Sequence, residues 1–206
     1  MIEILGRRTS GNVMKPLWAA DELGLEYTQV DIGGPFGGND KDDYRGLNPM
    51  GLVPTLRDGD LVLWESNTIT RYLASRYGMG TLCPETPAAR ALAEIWMDWK
   101  LSAVNPMMTP IFWGLVRTAE ADRDHAAIGA AKQRGFELWG MLDRHLADKA
   151  YVAGDAFTMG DIPLGPQLFR WYQLVDDAPD MPNLRAWYER LTERPAYRTH
   201  CMNPLE

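Results

Sequence analysis

The sequence predicts an α/β unit of order βαβαββα followed by an all-α helical bundle, and three observations carry that expectation. Short apolar runs bounded by Gly, Asp and Pro occupy the first 77 residues. Helical spacing of large apolar residues takes over from Ala88. Between them, residues 78–87 hold two Gly, two Thr and two Pro and interrupt any periodic pattern. The division is therefore residues 1–78, a linker at 79–87, and residues 88–206.

The elements follow in order. Ile2-Glu3-Ile4-Leu5 is a short strand, and the acid inside its apolar run argues against a signal peptide. A helix is expected over residues 12–23, closed by Gly24 at C′. Pro16 falls within its first turns, so that helix starts near Asn12 or bends. A strand over residues 27–31 leads into Gly33-Gly34-Pro35-Phe36-Gly37-Gly38, a mobile loop, and then a short helix over residues 41–47. Two strands flank the Asp58-Gly59-Asp60 turn, and Ile69, Tyr72, Leu73 and Tyr77 recur at helical spacing, which makes Ser66 a natural N-cap. Beyond the linker, Leu92, Ile95, Trp96, Trp99 and Val104 mark one long amphipathic helix. Ile128, Phe136, Leu138, Trp139, Leu142 and Leu146 mark a second. Thr158 and Asp161 have the spacing of a capping box, with Phe157 and Ile162 placed as a hydrophobic staple, so a helix start is expected there with a structural role.

Composition bounds the function. A chain of 206 residues that is 46% hydrophobic can bury a real core. No window approaches a membrane span, and a net charge of −7 argues against nucleic acid as a partner. Cys83 and Cys201 form no Cys-x-x-Cys pair and read as structural or surface thiols. With His125, His145 and His200 scattered, no metal site is expected, and His145 reads as a partner of a helix C-terminus. A soluble, cytoplasmic protein is expected.

Two neighbouring segments carry the chemistry. In Leu52-Val53-Pro54-Thr55-Leu56, Pro54 has no N–H to give a ladder, so the strand begins there or leaves that side open. An extended peptide could then pair with the Val53 backbone, or the run is a plain edge strand. Glu65-Ser66-Asn67 follows nine residues after the first segment. Ser66 there either caps the helix or, with the free N–H groups of the helix end, receives a carboxylate while Glu65 takes an adjacent ammonium.

Together these segments resemble the glutathione S-transferase family, and the resemblance extends over nearly the whole chain. It implies a thioredoxin-like first domain, glutathione as co-substrate, and conjugation to a small hydrophobic electrophile in detoxification. The residues matching Val53 and Pro54 would hold the cysteinyl backbone, those matching Glu65 and Ser66 the γ-glutamyl end, and Asn39 the glycine end. The thiol-activating group should lie in Thr9-Ser10-Gly11-Asn12, where Ser10 and Asn12 match the serine and asparagine positions of serine-type and nu-like bacterial members. Both also fit simple helix caps, and Thr9 is a lesser candidate. The second substrate is expected against Met108, Phe112, Trp113 and Arg117. Glutathione-dependent reduction of disulfides or peroxides, or non-catalytic ligand carriage, are the alternatives. The resemblance further implies a homodimer joined through residues 66–77 and 88–103.

Overall fold

Four short strands form one mixed sheet in the order β2-β1-β3-β4, in a computed structural model that describes residues 1–205. β1 (Ile2–Leu5) runs parallel to β2 (Tyr27–Val30) and antiparallel to β3 (Thr55–Asp58), which turns at Gly59 into β4 (Leu61–Trp64). Ile4 lies opposite Leu56 in this register, and both are fully buried. Leu17 of α1 (Met14–Glu22) and Ile69 and Leu73 of α3 (Ser66–Tyr77) belong to the same core, while α2 (Asp42–Leu47) follows the glycine-rich loop. The βαβαββα order is that of a thioredoxin-like unit.

The structure settles how α1 accommodates Pro16. The Ser10 carbonyl accepts from the Val13 and Met14 N–H groups at 2.8 and 2.9 Å, and regular helix begins at Met14. Pro16 is thus the third helical residue, where its missing N–H would have had no intrahelical acceptor. Neither a start at Asn12 nor a bend is needed. At the other end Gly24 has φ of 62°, the left-handed conformation expected of a C′ residue.

The helical remainder comprises α4 (Pro87–Trp99), α5 (Asn105–Phe112), α6 (His125–His145), α7 (Gly165–Leu174), α8 (Pro182–Thr192) and α9 (Pro195–Cys201). α4 and α5 are joined by a π-helical turn at Lys100–Val104, and a second follows at Trp113–Arg117. Pro106 and Pro110 remove two donors from the helical ladder here, and the widened turns absorb the loss. Each π turn rotates the helical phase, so a single 3.6-residue period does not describe the run. Of the residues expected to mark its inner face, Trp96 and Val104 are buried, but Leu92 and Ile95 are 54% and 55% exposed. Ala93, Met97 and Lys100 point inward beside Trp96.

Residues 159–164 form turns, and α7 begins only at Gly165, later than the Thr158–Asp161 spacing suggests. Half of the expected box is present, since the Thr158 N–H donates to Asp161 Oδ2 at 2.9 Å. The Thr158 hydroxyl accepts from Gly160 rather than from the N–H of Asp161. Phe157 packs on Trp18 of α1 at 5.3 Å between ring centroids and on Tyr151 at 5.7 Å, so it links the helical part to the sheet part. Glu22 of α1 adds a bidentate bond from Arg194, and Asp21 pairs with His200 of α9 at 2.6 Å. Both Cys83 and Cys201 are buried free thiols, which removes the surface alternative for each. The His145 ring, in the last turn of α6, bonds the Val152 carbonyl and packs on Trp96. No helix among the described residues is long and apolar enough to cross a membrane.

Candidate functional site

The loop between α2 and β3 is held from behind. Tyr44 and Asn48, both buried, donate to the Leu52 carbonyl at 2.7 Å each, and the Met50 N–H donates to Asn48 Oδ1. Asn39 donates to the Gly51 carbonyl at 2.8 Å. Gly51 itself has φ of 63° and lies so close to Asn39 and Arg45 that a side chain would be crowded as well as strained. With the loop fixed on one side, Val53 faces a cavity on the other, and the Val53-Pro54 peptide is cis. Among the described residues, the Val53 N–H and C=O have no hydrogen-bond partner in the protein. Asn39 supports the loop through its bond to the Gly51 carbonyl and is not among the residues lining that cavity.

Glu65 stands across the same cavity. With φ of 70° it is the only non-glycine residue at positive φ among those described, a costly conformation that recurs where a side chain must be aimed. Glu65 is the N-cap residue of α3, so Ser66 is the first helical residue and not the cap. The Ser66 hydroxyl instead reaches the Asn12 side-chain oxygen at 3.4 Å. The N–H groups of the first turn of α3 therefore keep no side-chain cap, and the positive helix end opens beside the Glu65 carboxylate. An ammonium and a carboxylate on one small molecule match this pair.

These walls enclose a cavity of about 340 Å³ whose lining includes Val53, Pro54, Glu65, Ser66, Ser10 and Asn12, together with Arg7, Trp64 and Trp113. A second cavity of about 240 Å³ shares Arg7, Ser10, Asn12 and Trp113 with the first and continues to Met108, Phe112 and Arg117. The four residues expected to hold a second substrate are thus brought together, and Ser10 and Asn12 lie where the two cavities meet. Thr9 lines only the second. Sequence reasoning missed Arg7, Gln167 and Arg170, which also line it. Arg7 follows directly from the first strand and could have been suspected, whereas nothing local marks Arg170 on α7.

Beneath the junction lie two fully buried lysines. Lys15 of α1 donates to Asn67 Oδ1 at 2.9 Å, and Asn67 in turn donates to the Met97 carbonyl, which ties α1, α3 and α4 together. Burial, reinforced by the charge of Lys100, holds Lys15 well below the usual lysine range. Lys100 Nζ has no hydrogen-bond partner among the described residues. Burial pushes its pKa down to about 8, with the Arg170 charge acting the same way and Glu65 opposing. An unfolded lysine keeps its proton to about 10.4, so between about pH 8 and 10.4 the unfolded chain binds more protons and stability rises with pH. Below pH 8 the full penalty of the buried charge is present. Lys100→Met is expected to be more stable at pH 7 by about 1–3 kcal/mol and to show a smaller alkaline rise, because buried Lys15 keeps its own share of it. Denaturant midpoints from pH 7 to 10 check it, and an unchanged profile with equal or lower stability would contradict it.

A thioredoxin-like sheet, a helical bundle docked on it, and a two-lobed cleft at their junction define a class of two-part proteins that hold a small peptide against the sheet part. The family models agree. "Glutathione S-transferase, N-terminal domain" matches residues 2–75 and "Glutathione S-transferase, C-terminal domain" matches residues 104–195. Among relatives, Glutathione S-transferase GstB of Escherichia coli strain K12 is 44% identical over 100% of both chains. Glutathione S-transferase 3 of Zea mays is 33% identical, covering 96% of this chain and 91% of its own. Among solved structures, the theta class glutathione S-transferase of the citrus canker pathogen Xanthomonas axonopodis pv. citri, with glutathione bound, superposes with a TM-score of 0.95. It is 51% identical, over 100% of this chain and 99% of that one. The chain belongs to the glutathione S-transferase family.

Proposed function

We propose that the protein binds glutathione in the larger cavity and transfers its sulfur to an electrophile in the smaller one. The observation that carries this reading is the convergence on one cavity of three features suited to one tripeptide: the unpaired Val53 backbone, the Glu65–Ser66 helix end, and the Ser10–Asn12 loop. The cysteinyl backbone of glutathione pairs with Val53 as an added strand beside Pro54. Its γ-glutamyl ammonium meets Glu65, and the adjoining carboxylate meets the backbone N–H groups of Ser66 and the rest of the first turn of α3. That places the thiol at Ser10 and Asn12, where the cavities join. The Ser66 bond to Asn12 Oδ1 leaves the Asn12 amide N–H₂ to donate, and the Ser10 hydroxyl donates beside it. Donors aimed at sulfur favour the thiolate, which attacks the electrophile against Met108, Phe112 and Trp113.

Glu65→Ala tests the binding half. Loss of a charge-assisted bond is expected to weaken glutathione by about 1.5–3 kcal/mol, roughly tenfold or more, in calorimetry on the folded variant. Unchanged affinity would remove the assignment. The reaction itself is tested by glutathione consumption with a chloronitrobenzene, a small disulfide and cumene hydroperoxide in parallel. Turnover with the chloronitrobenzene supports conjugation, turnover confined to the others supports reduction, and binding without turnover supports carriage.

The same reading takes residues 1–78 and 88–206 as two domains joined by residues 79–87, and takes the protein as a cytoplasmic homodimer. The exposed Leu92 and Ile95 on α4, beside the Arg71 bond from α3 to Asp98, support pairing of this face with a second copy. Sedimentation equilibrium at micromolar concentration is expected to give a dimer, and a monomer would contradict it.

A further inference from the structure

Lys15 and Lys100 have no task in the binding scheme above, yet the fold brings both to one place. They are 0% and 1% exposed, on α1 and on the π-helical turn after α4, and Lys100 is the charge that acts most strongly on Lys15. Their surroundings are the thiol end of the cleft. Lys15 Nζ donates to Asn67 Oδ1 at 2.9 Å, and Asn67 directly follows Ser66, whose hydroxyl reaches Asn12 Oδ1 at 3.4 Å. Two further charges act on Lys100: that of Glu65, in the larger cavity, and that of Arg170, which packs against Gly11 between Ser10 and Asn12. Arg71 of α3 acts on Lys15 as well. Lys100 Nζ has no hydrogen-bond partner among the described residues, and Glu65 is the carboxylate whose charge opposes the shift of both lysines. An ammonium buried without an acceptor lowers stability. With little water between, however, it acts more strongly on a nearby charge than the same group would at the surface, and a cation near a thiol favours the thiolate.

We propose, on the glutathione-binding reading, that Lys100 with Lys15 beside it is an electrostatic support for the reaction: its buried charge, through its field and not by contact, holds the sulfur at Ser10 and Asn12 as the thiolate. Ser10 and Asn12 donate bonds to the sulfur, and Lys100 adds stabilisation from behind them. The thiol proton goes to solvent. The influence is reciprocal, because a thiolate stabilised by an ammonium strengthens that ammonium's hold on its own proton by the same amount. Lys100, pushed down to about 8 by burial, therefore takes up a proton from solvent when glutathione binds as the thiolate in mildly alkaline solution.

Two substitutions separate charge from packing. Lys100→Met removes the charge and keeps most of the side chain's bulk, whereas Lys100→Arg keeps the charge. Thiolate absorbance of bound glutathione against pH is expected to give a thiol pKa at least about half a unit higher in Lys100→Met than in the unaltered protein, with Lys100→Arg close to the latter. Turnover of Lys100→Met should be about threefold lower in acid, where the thiol is mostly protonated in both proteins, and equal in alkali, where it is ionised in both. S-methylglutathione, which has no thiol to ionise, should bind both alike. The unaltered protein alone supplies a second readout. In calorimetry near the ordinary thiol value of about 8.5, with buffers of different ionisation enthalpy, glutathione is expected to release fewer protons than its thiol loses by absorbance, and S-methylglutathione to show no such shortfall. An unmoved thiol pKa in a Lys100→Met protein that binds glutathione overturns the proposal and leaves the binding reading intact. So does a proton release equal to the thiol's own loss. A thiol pKa raised equally by Lys100→Arg also overturns it, because the cause would then be packing and not charge. Failure of the unaltered protein to bind glutathione removes both.

Discussion

Asp161→Ala is expected to lose about 3–5 kcal/mol of stability, the largest effect of any single change considered for this chain. The carboxylate is fully buried and accepts from the Val152 N–H, the Thr158 N–H and the Trp187 indole at 2.9–3.0 Å, with the Thr158 hydroxyl at 3.4 Å. Those donors belong to the segment after α6, to the turn ahead of α7, and to α8. Removing the acceptor strands three buried N–H groups at once and opens a cavity where no side chain can follow. Asp161→Asn is expected to fall between, since one amide oxygen still accepts while the N–H₂ group faces a donor. Urea midpoints of the folded proteins are the measurement, and a loss below about 1 kcal/mol for the alanine variant would show that the network is dispensable.

Loss of both candidate thiolate donors should cost as much in the reaction as Asp161 does in stability. Ser10→Ala combined with Asn12→Ala is expected to reduce kcat about 100- to 1,000-fold, or about 3–4 kcal/mol of transition-state stabilisation, with glutathione affinity changed only a few-fold. Each single variant should lose less, because either donor alone still meets the sulfur. The geometry also separates this role from helix capping. Regular helix begins at Met14, Val13 is its N-cap without a side-chain bond, and the Ser10 contribution to the turn is its backbone carbonyl. Replacing these two side chains should therefore leave the melting temperature nearly unchanged. A folded double variant with undiminished turnover would assign activation to Thr9 or to a backbone N–H.

Much of this site was legible because its parts are local in sequence. Val53-Pro54 announces an interrupted strand edge, and Glu65-Ser66 announces a helix entrance, each through chemistry that needs no distant partner. What local reading got wrong was the division of labour at that entrance. Ser66 has the composition of a cap, but Glu65 takes the cap position at positive φ, which frees the serine hydroxyl to reach Asn12 on another element. Along the run from α4 to the end of α5, two π turns break the period that made Leu92 and Ile95 look like core. Lys100 and Arg170 could not be read at all. Their burial arises only when the helical part docks on the sheet part, and neither sits in a pattern that distinguishes it from a solvated surface charge.

The measurement closest to the central claim is the titration of bound glutathione by ultraviolet thiolate absorbance against pH. Held at Ser10 and Asn12, the thiol is expected to ionise at least about one unit below its ordinary value of about 8.5, and to return toward that value in the Ser10→Ala, Asn12→Ala double variant. A bound thiol that titrates at its ordinary value in the unaltered protein, or at the same lowered value in both proteins, would contradict the account.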